Sequence, residues 1–191
     1  MLLVLLGTTL MSCGSTHHER TSRHNVDAFD EYLDRFAPFN PSDSTCLDCI
    51  AFEINTNDTS LQLGKRLLSP LVESVHPSFK TFPIFVVTCE QGYLAFLLHY
   101  YDSGLFSTTY IEAITYNNEG QIIDHHCFLT YYDYGGYTDA DGFTDSYSLT
   151  IKDSMLSYCH NSLGPDNNQN EIDCHYKIQK DAILELIPND R

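Results

Sequence analysis

Tyr110-Ile111-Glu112-Ala113-Ile114-Thr115-Tyr116-Asn117-Asn118-Glu119-Gly120-Gln121-Ile122-Ile123-Asp124 carries β-branched and aromatic residues on both sides of an Asn-Asn-Glu-Gly break. Runs of that composition bounded by turn residues read as strands, and a connection this short joins antiparallel neighbours. The stretch is therefore a β-hairpin. Outward from it the same grammar recurs, with extended segments expected at 84–88, 93–101, 108–116, 121–132, 143–151, 155–159, 172–178 and 182–187. The breaks between them include Glu90-Gln91-Gly92, Asp102-Ser103-Gly104, Lys152-Asp153, Gly164-Pro165-Asp166 and Lys180-Asp181. Short turns between successive strands give an antiparallel meander of roughly seven or eight strands.

Upstream, the period changes. Asn25 is placed as an N-cap, and Val26, Phe29, Leu33 and Phe36 follow at helical spacing until Pro38, with Asp27, Asp30, Glu31 and Asp34 on the other side. A poorer helix is expected over 61–74, burying Leu63, Leu67, Leu68, Leu71, Val72 and Val75 and interrupted at Pro70. Between them Ile50-Ala51-Phe52-Glu53-Ile54 alternates like a strand. The expected fold class is α+β: one or two N-terminal helices packed on a curved antiparallel β-meander.

The first residues read as an address. Leu2-Leu3-Val4-Leu5-Leu6-Gly7-Thr8-Thr9-Leu10 is too short to span a bilayer but fits the apolar core of a signal peptide. It runs into Leu10-Met11-Ser12-Cys13, which has the aliphatic and small residues of a lipobox, although no Lys or Arg precedes Arg20. Residues 1–12 are thus a lipoprotein signal peptide, Cys13 the lipidation site, 13–25 a tether and 26–191 a single domain. The address is the bacterial cell envelope, lipid-anchored at the outer membrane. Ten basic residues face 26 acidic ones, a net charge of −16, which leaves too little clustered Lys and Arg for nucleic acid. Membrane attachment rests on lipid at Cys13.

The helix with Phe36-x-Pro38, the 110–124 hairpin and the later strand Asp145-Ser146-Tyr147-Ser148-Leu149-Thr150-Ile151 together resemble small uncharacterised lipoproteins of the Bacteroidota. The resemblance spans most of 26–187 and implies the address and the architecture. It implies no activity.

Apart from Cys13, six cysteines remain, enough for three disulfides in an exported chain. Cys46-Leu47-Asp48-Cys49 has the spacing of a redox pair or half a zinc site. The expected loop before it and strand after it supply no activating helix, which favours a structural role, bonded or not. Cys159 and Cys174 fall opposite one another if their hairpin centres near Asp166-Asn167, and a disulfide between them is expected. The adjacent His160 and His175 alternate to the opposite faces, so one metal would not collect all four. His17 and His18 lie in the tether and read as solvated linker.

Three further groups bear on chemistry. In Asp124-His125-His126-Cys127, alternation puts His125 and Cys127 on one face with Ile123 and Leu129, and Asp124 and His126 on the other with Ile122 and Phe128. No base points at a nucleophile within the segment, although His99 on a neighbouring strand could be a partner. The loop 133–145 offers Asp139, Asp141 and Asp145 around Gly142 as ligands for calcium, without the full EF-hand pattern. Thirteen tyrosines with eleven phenylalanines and no tryptophan make a tyrosine-rich sheet that could meet a protein or glycan partner. These readings converge on a non-catalytic binding or interaction module. A hydrolase using His99 or His126 with a carboxylate, or a weak calcium-binding protein, is the alternative.

Overall fold

Strand Gly92–Asp102 buries residues on both of its faces, so it needs a cover on each side. Leu94, Phe96 and Leu98 join one apolar cluster while Ala95 and Leu97 join another. The computed structural model, which describes residues 28–40, 43–72, 78–104, 107–133, 144–163 and 169–188, shows what the covers are.

The described chain is mostly β, with few short helices. It comprises α1 (28–33), β1 (Ala37–Phe39), β2 (Thr45–Cys46), α2 (Leu47–Glu53), α3 (Lys65–Leu71), β3 (Lys80–Thr88), β4 (Gly92–Asp102), β5 (Ser107–Asn117), β6 (Ile122–Asp133), β7 (Thr144–Lys152), β8 (Met155–Leu163), β9 (Gln169–Ile178) and β10 (Leu184–Ile187). Two five-stranded sheets result, ordered β1-β3-β4-β5-β6 and β10-β9-β8-β7-β2. Every pairing is antiparallel except β1 with β3. The eight strands expected after Pro83 are present, and the meander divides between two sheets where one was expected. Turn residues mark where strands end and are silent on whether the next strand continues the same sheet.

Phe82, Phe96, Leu98, Ile111 and Phe128 of the first sheet share one buried cluster with Leu149, Ile151, Leu156, Tyr158, Ile178 and Leu184 of the second. On its other face the first sheet contributes Val86, Ala95, Leu97, Ile114 and Tyr116 to a cluster with Phe29, Tyr32 and Phe36, and with Leu63, Leu67, Leu68, Leu71 and Val72. Tyr32, absent from the expected stripe, is fully buried because its polar tip is satisfied: its hydroxyl lies 3.0 Å from that of Tyr116, which donates to the Leu71 carbonyl at 2.6 Å. Burial holds both phenols protonated well above the usual tyrosine range.

Two local details fix this layer. Gly120 closes the Asn117–Gly120 turn at φ 78°, and a Cβ there would sit 2.5 Å from the Phe29 ring, so only glycine lets the helix reach the hairpin. Glu119 and Gln121 donate their backbone N–H groups to the Asn117 side chain at 3.0 and 2.9 Å.

The expected strand at 50–54 is corrected to helix α2. Within those five residues the apolar positions alternate. Once Leu47 is included, Leu47, Ile50, Ala51 and Ile54 stand at i, i+3, i+4 and i+7, and all four pack into the cluster between the sheets. Helix α3 is shorter than the expected 61–74, ending one residue after Pro70.

Candidate functional site

Odd positions of β4 and even positions of β5 share the helix-covered face, and toward one end of it the side chains turn polar. Thr81 pairs with His99 across β3 and β4, and Glu112 pairs with Cys127 across β5 and β6. Thr81, His99 and Glu112 are all buried. Glu112 Oε2 lies 2.9 Å from His99 Nε2, and Thr81 Oγ1 lies 3.0 Å from His99 Nδ1. A carboxylate only accepts, so His99 donates through Nε2; with a neutral ring, Nδ1 accepts the threonine hydroxyl. Both ring nitrogens are thereby engaged. The Tyr110 ring stacks on the imidazole at 4.6 Å, and its phenol is raised above the usual range by burial and then by the Glu112 charge.

The second oxygen of Glu112 points outward. Oε1 lies 3.4 Å from His125 Nδ1, and Glu112, His125 and Cys127 place one ligand atom each within 4.8 Å of one another. Glu112 is buried while His125 and Cys127 are exposed. Partial burial of the thiol, then the Glu112 charge, pushes Cys127 up to about 11. At neutral pH it is a thiol rather than a thiolate, hence a poor nucleophile despite the neighbouring histidine.

The other face of β6 behaves differently. His126 lies 3.1 Å from Asp124 Oδ2 and tilts against Tyr176 of the second sheet. The face assignments of His125 with Cys127 and of Asp124 with His126 and Phe128 agree with the register. Ile122 does not follow them: the pairing shifts between Thr115 and Tyr116, and Ile122 sits opposite Tyr116 on the helix-covered side.

On the outer face of the second sheet, Ser157 Oγ lies 2.9 Å from His175 Nδ1, and His175 Nε2 lies 3.4 Å from Asp173 Oδ1. The residue types are those of a hydrolytic triad. Their setting is an open strand face, where β8 lies between β7 and β9 and both flanking ladders run continuously past Ser157. Backbone N–H groups spent in a ladder are not free to hold an oxyanion.

Cys159 lies opposite Asp173, and Cys174 opposite Tyr158. The expected Cys159–Cys174 disulfide is therefore corrected: both are free thiols. The register is offset by one residue from that of a hairpin centred at Asp166-Asn167, and a one-residue offset in a period-two element sends the two side chains to opposite faces. The disulfide that is present joins Cys46 to Cys49. Cys46 ends β2 and caps α2, its sulfur accepting the Cys49 N–H at 3.4 Å. The pair thus follows a strand and opens a helix, contrary to the expected loop and strand around it.

No protein-family model matches this chain, and neither do curated proteins or solved structures.

Cys13, Asp139 and Asp141 lie outside the described residues, as does the side chain of Asp145, whose backbone pairs with Ser162. The tyrosines divide between roles. Tyr32, Tyr116 and Tyr158 are core, Tyr93, Tyr100 and Tyr176 pack against it, and Tyr147 stacks on His160. Sequence reading missed Glu112. Its signal was one carboxylate inside the apolar run Tyr110-Ile111-Glu112-Ala113-Ile114, where strand alternation commits it to a face that is otherwise buried.

Proposed function

We propose that this chain is a lipid-anchored protein of the bacterial envelope, held at the outer membrane through Cys13, whose paired sheets act as a non-catalytic binding module. The apolar run ending in Leu10-Met11-Ser12-Cys13 and the resemblance to small Bacteroidota lipoproteins support the address. Among the described residues no helix is long and apolar enough to cross a membrane. A chain with net charge −16 has no electrostatic attraction to an anionic bilayer, so lipid is the means of attachment.

The observation that carries the binding reading is the position of Cys127 directly opposite the Glu112 carboxylate, whose charge disfavours a thiolate. The histidine, acid and thiol that would make a nucleophilic site are together, yet burial and the Glu112 charge hold the thiol up at about 11. The partner class is a protein or glycan, engaged through tyrosines that the core does not absorb. Membrane fractionation with a panel of activated esters tests both halves. Wild type partitions with the membrane, Cys13→Ala appears in the soluble fraction, and neither turns over an ester. A Cys13→Ala protein that stays with the membrane ends the lipoprotein reading. Ester turnover that disappears in Cys127→Ser or Ser157→Ala ends the non-catalytic one.

A further inference from the structure

We propose that Glu112, His125 and Cys127 form a binding site for a single zinc-class transition-metal ion on the outer edge of the first sheet. The inference goes beyond the binding-module reading and stands apart from lipidation, so either can fail alone.

The simplest competing account is an ion pair between His125 and Glu112. It explains their 3.4 Å separation and leaves the thiol unexplained. Cys127 sits directly across from Glu112 on the neighbouring strand and belongs to the same cluster of donor atoms. A carboxylate and a thiolate repel one another, and a divalent cation attracts both. Three donors of different type converging within 4.8 Å are what a metal uses and an ion pair does not need.

The donor set selects the ion. Thiolate and imidazole are poor ligands for calcium or magnesium, which take oxygen. One sulfur, one nitrogen and one carboxylate oxygen suit zinc or a similar borderline ion. Bonds of about 2.0 to 2.1 Å from nitrogen and oxygen, opened to the tetrahedral angle, put the two donor atoms about 3.4 Å apart. The Oε1 to Nδ1 distance is 3.4 Å. Three protein ligands leave the fourth position of a tetrahedron to solvent or to a ligand, on the side where His125 and Cys127 are exposed.

The surroundings are those of a held ligand. Glu112 is fixed by the His99 hydrogen bond, and His99 by Thr81 and the stacked Tyr110, so Oε1 is presented outward by buried groups. His125 and Cys127 stand two apart on one strand, where the period of two aims both at the same face. His99 is a positioning residue in this arrangement, acting through Glu112.

The test uses the full chain in a Cys46→Ser, Cys49→Ser, His17→Ala, His18→Ala background, which removes the competing dithiol and the tether histidines. Zinc titration by competition with a chromogenic chelator gives one equivalent bound. Cobalt in its place gives a sulfur-to-metal charge-transfer band in the near ultraviolet. Cys127→Ser abolishes the band, and His125→Ala weakens zinc at least about tenfold. Both positions are exposed, so their variants keep the fold, and zinc should raise the melting temperature of the parent but not of the double variant. His99→Gln weakens zinc while the charge-transfer band persists. Failure of the parent to bind zinc, or binding and a cobalt band unchanged in the Cys127→Ser, His125→Ala variant, overturns the site.

Discussion

Two ladders of polar side chains cross the strands of this protein, one on each sheet, and they are written in nearly the same residues. Thr81, His99, Glu112 and Cys127 line the first; Ser157, His175, Asp173 and Cys159 line the second. Each runs from a hydroxyl through an imidazole to a carboxylate with a free cysteine opposite the acid. The difference is water. His99 and Glu112 side chains are 0% and 3% exposed, whereas those of His175 and Asp173 are 39% and 46% exposed. An exposed pair is screened and contributes little, while a buried one leaves an uncompensated group behind when either partner is removed. Closely similar residue types are thus buried structural partners in one sheet and solvent-exposed neighbours in the other.

The sharpest way to break this comparison is to delete the acid from each ladder. Glu112→Ala leaves a cavity and a buried imidazole N–H without its acceptor, which together should lower the unfolding free energy by about 3 to 5 kcal/mol. Asp173→Ala should change it by no more than about 0.5 kcal/mol. Urea denaturation of both variants decides it, and equal losses would show that burial does not separate the ladders.

What the sequence disclosed follows the same division between local and distant. Strand ends were legible because Asn117-Asn118-Glu119-Gly120 and Lys152-Asp153 declare themselves within four residues. The split into two sheets was not, since nothing along the strands says which edge the next one joins. Helix α2 was hidden because a window of 50–54 shows period two and only Leu47 reveals the longer period. His125 and Cys127 were placed on one face by alternation alone, but Glu112 joined them only through pairing between strands. That pairing is a tertiary fact, as the one-residue offset at Cys159 and Cys174 also shows.

That offset supplies the next prediction. If Cys159 is opposite Asp173, then Asp173→Cys in a Cys174→Ser background puts two thiols on one face as direct neighbours. Under oxidising conditions this variant should form an internal disulfide and gain about 3 kcal/mol from closing its loop, whereas the parent chain leaves Cys159 and Cys174 free. Non-reducing peptide mapping reads the outcome. A Cys159–Cys174 bridge in the parent, or none in the variant, would restore the symmetrical hairpin and undo the second ladder's register.

The smallest effect concerns a bond made without any register at all. Cys46 and Cys49 meet because a helix brings residues three apart to the same side, and the cap at Cys46 starts that helix where β2 ends. The closed loop is short, so it removes little freedom from the unfolded chain, and the chain-entropy account gives about 2 kcal/mol. The loss of Cys46→Ser, Cys49→Ser should therefore fall below that of Glu112→Ala and below the gain expected from the engineered bridge. Its location adds a second readout. Thr45 and Cys46 form the edge of the second sheet by pairing with Ile151 and Thr150, and Leu47 and Ala51 carry α2 into the core shared by both sheets. Amide exchange in the double variant should quicken at Thr45 and Cys46 and through α2, while the amides of β4 and β5 keep their protection. A loss as large as that of Glu112→Ala, with exchange rising across the first sheet as well, would mean that the bond holds the two sheets together and that the ladders cannot be considered separately.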